Sequence, residues 1–151
     1  MDETQADETP LPPGLDILLV EDEAAHVELV RRAFEAETDT QLRVAPDLAR
    51  AELEIARSHP DVLVLDSTLP DGLGLDFFRR LPTTGPGNRK LPTLLLTSHD
   101  DARLAREADE AGVFRYLEKR PEHLFDLPDR IRDLLSAWRI DVETRATEGL
   151  E

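Results

Sequence analysis

The chain of 151 residues contains no cysteine and, among its 18 basic residues, only two lysines, Lys90 and Lys119. Without cysteine it can form neither a disulfide framework nor a thiolate metal site. It also lacks an apolar run long enough to span a membrane, and its first residues are acidic where a signal peptide would be basic and apolar. We therefore expect a cytoplasmic protein that makes no use of a membrane.

The 33 acidic residues outnumber the 18 basic ones, so the formal net charge is −15. Binding to a nucleic acid backbone needs a basic face, so this charge argues against nucleic acid as a partner. The four histidines are scattered along the chain and give no zinc-site pattern. Hydrophobic residues make up 40% and charged residues 34% of the chain, which is typical of a globular protein with one domain.

Composition and periodicity divide the chain into three parts. Residues 1–14 are acidic, contain proline and lack periodicity, which predicts a disordered acidic tail. Residues 15–138 carry the periodic patterns and are predicted to be the folded domain. Residues 139–151 are predicted to be a frayed C-terminal tail or extension.

Within the predicted domain, short apolar runs alternate with stretches of helical spacing. The runs predict five strands, at 17–20, 41–44, 62–65, 93–96 and 114–117. The spacing predicts five helices, at 24–37, 48–58, 73–81 and 101–111, and a last one that follows Arg120-Pro121 and runs to about 138. This alternation implies right-handed βαβ units and a doubly wound α/β fold, in which helices cover both faces of a parallel sheet.

Local patterns also predict how some of the helices begin and end. Asp47 is the expected N-cap of the second helix. Four residues should form the apolar side of that helix: Leu48, Ala51, Leu53 and Ile55. Gly112 should end the fourth helix as its C′ residue, and Pro128 should lie in or just before the first turn of the last helix.

Four of the predicted strands end at polar residues: Glu21-Asp22, Asp66, Thr97 and Lys119. In an open parallel sheet these ends lie on one edge, where ligands bind. Carboxylates crowded together repel, at about 4 kcal/mol for a pair ~4 Å apart at an effective dielectric constant of about 20. Proton uptake or a hard cation relieves such repulsion, and Mg²⁺ suits a few carboxylates together with water and phosphate oxygens.

These residue types together permit phosphoryl transfer to a carboxylate. In this hypothesis Asp66 attacks a phosphorus atom and becomes an acyl phosphate, while Asp22 and Asp66, with help from Glu21, hold the metal ion. Lys119 would pair with Asp66 before transfer and with the phosphoryl group after it, and the Thr97 hydroxyl would donate to a phosphoryl oxygen. Taken singly, each residue has an ordinary interpretation, such as a helix cap or a surface lysine. Their arrival at one sheet edge favours the functional interpretation.

Four segments resemble the receiver domains of two-component response regulators, the CheY-like group: LLVEDE, LVLDSTLPDGLG, LLLTS and YLEKR. The resemblance covers about 15–138 and implies a flavodoxin-like sheet with strand order 2-1-3-4-5, the order already known for that group. It also implies that a sensor histidine kinase phosphorylates Asp66 in the presence of Mg²⁺, with the backbone carbonyl of Thr68 among the metal ligands. Thr97 and Tyr116 would then shift together as the switch.

The sequence departs from the family pattern at two positions. Arg120 stands where the family usually has a proline directly after its lysine. The loop there would therefore have a different shape, or Lys119 would be held less tightly. The acidic pair is Glu21-Asp22 instead of two aspartates, which the family tolerates.

A narrower resemblance is to the single-domain response regulators that are paired with bacterial phytochromes. It rests on TSHDD, on YLEKR and on the ending LLSAWRIDVETRA. It implies a bacteriophytochrome as the kinase and a homodimer formed through the fourth and fifth helices. Trp138 would then lie at the dimer surface; in the alternative it packs against its own domain.

The leading functional hypothesis is a single-domain receiver that promotes its own phosphorylation and dephosphorylation and signals through protein contacts. The alternative is an adaptor of the same fold that is never phosphorylated and acts only by binding. An aspartyl phosphatase is disfavoured because Thr68 occupies the place of its second aspartate, and a flavodoxin-like carrier because three acids follow the first strand. Within the receiver hypothesis, Thr68, Ser98 and His99 are predicted to tune the attack of water on the acyl phosphate.

Overall fold

The computed structural model describes residues 11–84, 89–99 and 101–149. The strands are β1 (Asp16–Val20), β2 (Gln41–Ala45), β3 (Val62–Asp66), β4 (Thr68–Leu69), β5 (Gly72–Leu73), β6 (Thr93–Thr97) and β7 (Arg115–Glu118). The helices are α1 (Ala24–Ala33), α2 (Leu48–Arg57), α3 (Gly74–Arg80), α4 (Ala102–Ala111), α5 (Pro121–Phe125) and α6 (Leu127–Gly149). Five strands pair in parallel in the order β2-β1-β3-β6-β7, and β4 and β5 form a small antiparallel hairpin. The five-stranded order and the doubly wound fold are therefore confirmed.

The central strands are apolar on both faces because helices cover both sides of the sheet. In β1, Ile17 and Leu19 face the layer formed by α1, α5 and α6, whereas Leu18 and Val20 face the layer formed by α2, α3 and α4. This alternation follows from the two-residue period of a strand. The buried strands give a rigid support for whatever lies at their carboxyl ends.

Three of the predicted helix ends are confirmed. The carboxylate of Asp47 accepts a hydrogen bond from the backbone N–H of Arg50 at 2.8 Å. Gly112 ends α4 with a φ of 99°, a left-handed conformation that favours glycine. Pro128 is the second residue of α6, where a missing N–H removes no helical hydrogen bond.

The predicted last helix is in fact two helices, α5 and α6, which Asp126 separates. α6 continues to Gly149, so the expectation of a frayed segment after Trp138 is wrong for residues 139–149. This extension is tied to the domain by an ion pair between Asp141 and Arg89, which lie 52 residues apart and give no local signal in the sequence. Although α6 is long, no helix in the described part of the chain is apolar enough to cross a membrane.

Three smaller predictions need correction. α1 ends at Ala33 and does not reach residue 37. Leu53 is 63% exposed, because Glu54 takes the inward-facing position on α2 that an apolar residue was expected to fill. Leu11 is buried in the core, so the described end of the predicted 1–14 tail is packed against the domain. The rest of that predicted tail, residues 1–10, lies outside the described residues.

Candidate functional site

The carboxylates predicted at the strand ends meet at one edge of the sheet. Asp66 ends β3 and Glu21 follows the neighbouring strand β1, and these residues are only 4% and 1% exposed. Asp22 lies beside them and is exposed. Carboxylate oxygens of the three residues lie within 4.8 Å of one another. We call these three residues and Lys119 the acidic site.

Lys119 supplies the positive charge of the acidic site. Its Nζ donates to Oδ2 of Asp66 at 3.1 Å and to Oε1 of Glu21 at 3.0 Å. Burial alone would lower the pKa of Lys119, but the hydrogen bond and charge of Glu21, together with those of Asp66, raise it above its usual value. The ammonium is therefore charged at neutral pH and held between the two buried carboxylates.

One ammonium does not balance three carboxylates. Burial, followed by the charge of Glu21, raises the pKa of Asp66, although Lys119 and the backbone N–H of Thr68 oppose the shift. The three acids offer only carboxylate oxygens, and together they carry more negative charge than Lys119 offsets. Both properties fit a hard divalent cation such as Mg²⁺, which these residues could hold.

Arg120 does not displace Lys119. The described peptide bonds contain no cis isomer, and Pro121 is the first residue of α5. The backbone N–H of Lys119 donates to the carbonyl of Thr97 at 2.6 Å, which fixes the end of β7 against β6. Lys119 is thus held by its backbone as well as by Asp66 and Glu21, and the two expected consequences of the substitution stay predictions.

Thr97 and Tyr116 contact the two ends of the connection between β6 and α4. The hydroxyl of the buried Thr97 donates to the carbonyl of His99 at 3.0 Å. The Tyr116 hydroxyl lies 3.3 Å from both the backbone nitrogen and the carbonyl oxygen of Asp101. β6 and β7 are adjacent strands, so the two predicted switch residues lie on neighbouring strands, each beside one described end of this connection.

The residues predicted to tune the site follow strands β3 and β6. Thr68, Ser98 and His99 are all exposed to solvent. His26 of α1 was not predicted, yet its Nδ1 lies 3.7 Å from Oε2 of Glu21. A single histidine four positions after Asp22 gives no recognisable motif, so the sequence offered no signal for it.

The segment after Asp66 is a hairpin, and not only the loop that its proline and glycines predict. Thr68 pairs with Leu73 across the hairpin. Gly74 then packs against the Asp66 backbone so closely that an added Cβ would lie 2.1 Å from the Asp66 carbonyl oxygen. Only glycine fits this approach, which explains the need for glycine at position 74.

Asp71, in the turn of this hairpin, binds the N-terminus of α2. Its Oδ1 accepts from the N–H of Leu48 at 2.9 Å, and its Oδ2 accepts from the N–H of Ala49 at 3.0 Å. These hydrogen bonds, that of Leu48 first, lower the pKa of Asp71. Sequence reasoning missed this contact because the partners lie more than twenty residues earlier and no local pattern connects them.

Comparisons with known proteins agree with this geometry. Residues 17–132 match the family described as the response regulator receiver domain. The methanogenesis regulatory protein FilR1 of Methanothrix harundinacea is 33% identical over 146 residues, which cover 91% of this chain but 31% of FilR1. The chain therefore spans about a third of the length of this curated relative.

Two solved structures extend the comparison. The BeF3-activated N-terminal receiver domain of Klebsiella pneumoniae RstA is 31% identical, with a TM-score of 0.62 over 80% of this chain and 97% of that chain. The phosphorylated cyanobacterial phytochrome response regulator RcpA is 21% identical, with a TM-score of 0.68 over 79% of this chain and 91% of its own. Because RcpA is only 21% identical, its likeness to this chain concerns the fold alone.

Proposed function

Because the chain belongs to the response regulator receiver domain family, we propose that it is a phosphoacceptor that takes a phosphoryl group on Asp66 from a sensor histidine kinase. The observation that carries this proposal is the position of Lys119, whose Nζ lies 3.1 Å from Asp66 and 3.0 Å from Glu21. A buried carboxylate beside a charged lysine and two further acids is suited to metal-assisted phosphoryl transfer. The signal would leave the domain through protein contacts.

In the proposed reaction, an Oδ atom of Asp66 attacks the phosphorus of a phosphohistidine. The new O–P bond forms as the N–P bond breaks, and the leaving imidazole nitrogen takes up a proton. The product is an aspartyl phosphate, and attack of water on its phosphorus later returns Asp66 and releases inorganic phosphate. Bound Mg²⁺, held by Asp22, Asp66, Glu21 and the Thr68 carbonyl, would offset charge on the transferring oxygens.

Lys119 and Thr97 have separate roles in this proposal. Lys119 pairs with the Asp66 carboxylate before transfer and with a phosphoryl oxygen afterwards, so it offsets negative charge in both states. The Thr97 hydroxyl leaves the carbonyl of His99 and donates to the phosphoryl group. The connection to α4 would then shift, and Tyr116, which contacts Asp101 at its other end, would move with it.

Phosphorylation can be tested without the kinase. Incubation with acetyl phosphate and Mg²⁺ should add the mass of one phosphoryl group to the wild-type protein. Asp66→Asn should abolish the addition, whereas Asp76→Asn, a change at an exposed aspartate of α3, should not. A wild-type protein that gains no phosphoryl mass, and that beryllofluoride with Mg²⁺ leaves unchanged, would favour the non-phosphorylated adaptor.

The finer proposal on partners is that the kinase is a bacteriophytochrome in the cytoplasm and that the chain forms a homodimer through α4 and its C-terminal helices. The segments TSHDD and LLSAWRIDVETRA support it. Within one chain Trp138 packs edge-on against Phe114, with ring centroids 5.2 Å apart, so its own domain already covers part of the ring. Sedimentation of the unphosphorylated and beryllofluoride-treated protein tests the dimer, and a single monomeric species in both would contradict it.

Thr68, Ser98 and His99 are proposed to set the lifetime of the aspartyl phosphate, since all three are exposed and follow the ends of β3 and β6. Replacing each by alanine should change the rate at which the phosphoryl mass is lost after acetyl phosphate is removed. An unchanged lifetime in all three variants would contradict a tuning role.

A further inference from the structure

Asp71 lies outside the acidic site but belongs to the hairpin that begins directly after Asp66. The hairpin carries Thr68 on its first strand, two residues after Asp66, and its second strand leads into Gly74, which packs on the Asp66 backbone. Asp71 is at the opposite, turn end of the same hairpin. Whatever fixes the turn therefore also fixes the backbone beside the phosphoacceptor.

The turn is fixed by an unusual double cap on α2. Asp71 accepts from the first two N–H groups of the helix, those of Leu48 and Ala49. Asp47 accepts from the third, that of Arg50. The helix N-terminus thus uses two carboxylates from different parts of the chain, and both oxygens of Asp71 are occupied.

α2 is a rigid partner for the hairpin. Its residues Leu48 and Ala51 are buried in the core, and the hairpin approaches so closely that a Cβ at Gly72 would lie 3.1 Å from the Leu48 side chain. Gly72 also has a φ of 151°, so glycine is needed there for the turn itself. At the other end of the hairpin, Gly74 packs on the Asp66 backbone.

We propose that Asp71 is a positioning residue of the acidic site. By holding the hairpin on α2, it keeps the Thr68 backbone beside Asp66, where the Thr68 carbonyl can serve the metal ion. This inference rests on the proposed function, because it takes Thr68 as a metal ligand. Residues that orient metal ligands typically change metal affinity when they are replaced, even though they do not touch the ion.

The test is a calorimetric Mg²⁺ titration of the full chain without any phosphoryl donor. Asp71→Ala should weaken Mg²⁺ binding by about tenfold. This is the lower end of the effect usually seen when a residue that orients a metal ligand is replaced. Asp71→Asn, which can still accept one of the two hydrogen bonds, should fall between the wild type and Asp71→Ala. Asp47→Ala is the matched control, since it removes a cap from the same helix without touching the hairpin, and it should leave the affinity unchanged.

Circular dichroism of each variant establishes that it is folded before titration, and Asp71→Asn replaces Asp71→Ala in the comparison if the alanine variant does not fold. Equal losses of affinity in Asp47→Ala and in the Asp71 variant would assign the effect to helix stability and overturn the inference. Wild-type affinity in every Asp71 variant would overturn it as well. If the wild-type protein binds no Mg²⁺, the metal part of the proposed function fails first and the inference fails with it.

Discussion

Two clusters among the described residues place a buried cation between carboxylates, and they differ in how their charges are balanced. One is the acidic site, where Lys119 pairs with Asp66 and Glu21 and Asp22 lies beside them. The other, which we call the Arg43 network, joins β1, β2 and α2 through Arg43, Asp16, Glu54, Arg50 and Arg57. In the first cluster one cation meets three acids, and in the second three cations meet two acids.

The two clusters also differ in their hydrogen bonds and in the direction in which the pKa of a buried carboxylate is shifted. The guanidinium of Arg43 donates to both oxygens of Asp16, to the Glu54 carboxylate and to the carbonyls of Glu54 and Ser58. Hydrogen bonds, first from Arg57 and then from Arg43, lower the pKa of Glu54 to about 2. In the acidic site the pKa of Asp66 is raised instead, by burial first and then by the charge of Glu21.

Under the proposed function, the contrast separates a structural ion cluster from a functional one. A network in which each acid is paired with a cation can hold β2 and α2 together, but with three cations to two acids it has no excess negative charge for a metal ion. The acidic site retains excess negative charge, which a divalent cation can offset, and a carboxylate whose pKa is perturbed. Carboxylates near a cation are thus not enough to mark a metal site; the excess of carboxylates over cations is what distinguishes it.

The largest expected effect is on the Arg43 network. Arg43→Ala leaves Asp16 and Glu54 without their shared partner, and breaking a buried pair in this way costs about 3 kcal/mol of unfolding free energy. Denaturant unfolding measures the loss, and added Mg²⁺ should not restore it. Arg57→Ala is the control, because Arg57 is 64% exposed and exposed pairs contribute roughly 0–1 kcal/mol. Equal losses in the two variants would contradict the distinction between buried and exposed members.

The next effect concerns the acidic site. Lys119→Met removes its cation, and a single charge interacts with a divalent one ~5 Å away by about 2 kcal/mol even in water. We therefore expect the variant to bind Mg²⁺ about tenfold more tightly, although it should accept phosphate poorly. Arg43→Met should not change the Mg²⁺ affinity. A weaker Mg²⁺ affinity in Lys119→Met would mean that the lysine helps to build the metal site instead of competing with the ion.

The smallest expected effect is on the pH dependence of folding stability, in which Glu54 and Asp66 should have opposite signs. Glu54 has a lowered pKa, so its stabilising contribution is present above about 4.5, its ordinary value, and is lost as the pH falls through about 2. Asp66 has a raised pKa, so its ionisation destabilises the folded state as the pH rises through that raised value. At neutral pH and without Mg²⁺, Glu54→Gln should therefore be less stable than the wild type and Asp66→Asn more stable.

Thermal unfolding over a pH series checks both signs. Each difference from the wild type should shrink in acid, for Glu54→Gln as the pH approaches 2 and for Asp66→Asn as it falls below the raised pKa. An Asp66→Asn protein that is less stable than the wild type at neutral pH would show that Asp66 is balanced in the same way as Glu54.

The sequence predicted the acidic site well because parallel strands bring their carboxyl ends to one edge. Glu21, Asp66, Thr97 and Lys119 each follow a clear apolar run, so their meeting required only the sheet order. The strand runs, the Asp47 cap and Gly112 were likewise local signals that the structure confirms.

The Arg43 network could not be predicted in the same way, because Arg43 interrupts a weak strand and Glu54 looks like a solvated residue of an amphipathic helix. Assigning Leu53 to the apolar side instead of Glu54 was the direct consequence. The cap by Asp71 and the contact of Arg89 with α6 were missed for a related reason. Each joins residues distant in sequence, and such tertiary contacts override local propensity without leaving a pattern.

The central claim, that the acidic site and not the Arg43 network has capacity for a ligand, is tested most directly by a Mg²⁺ titration followed residue by residue in ¹H–¹⁵N NMR spectra. We expect saturable shifts at Glu21, Asp22, Asp66 and Lys119, with none at Arg43 or Glu54. Absence of any saturable shift at the acidic site, or shifts of equal size in the two clusters, would contradict it.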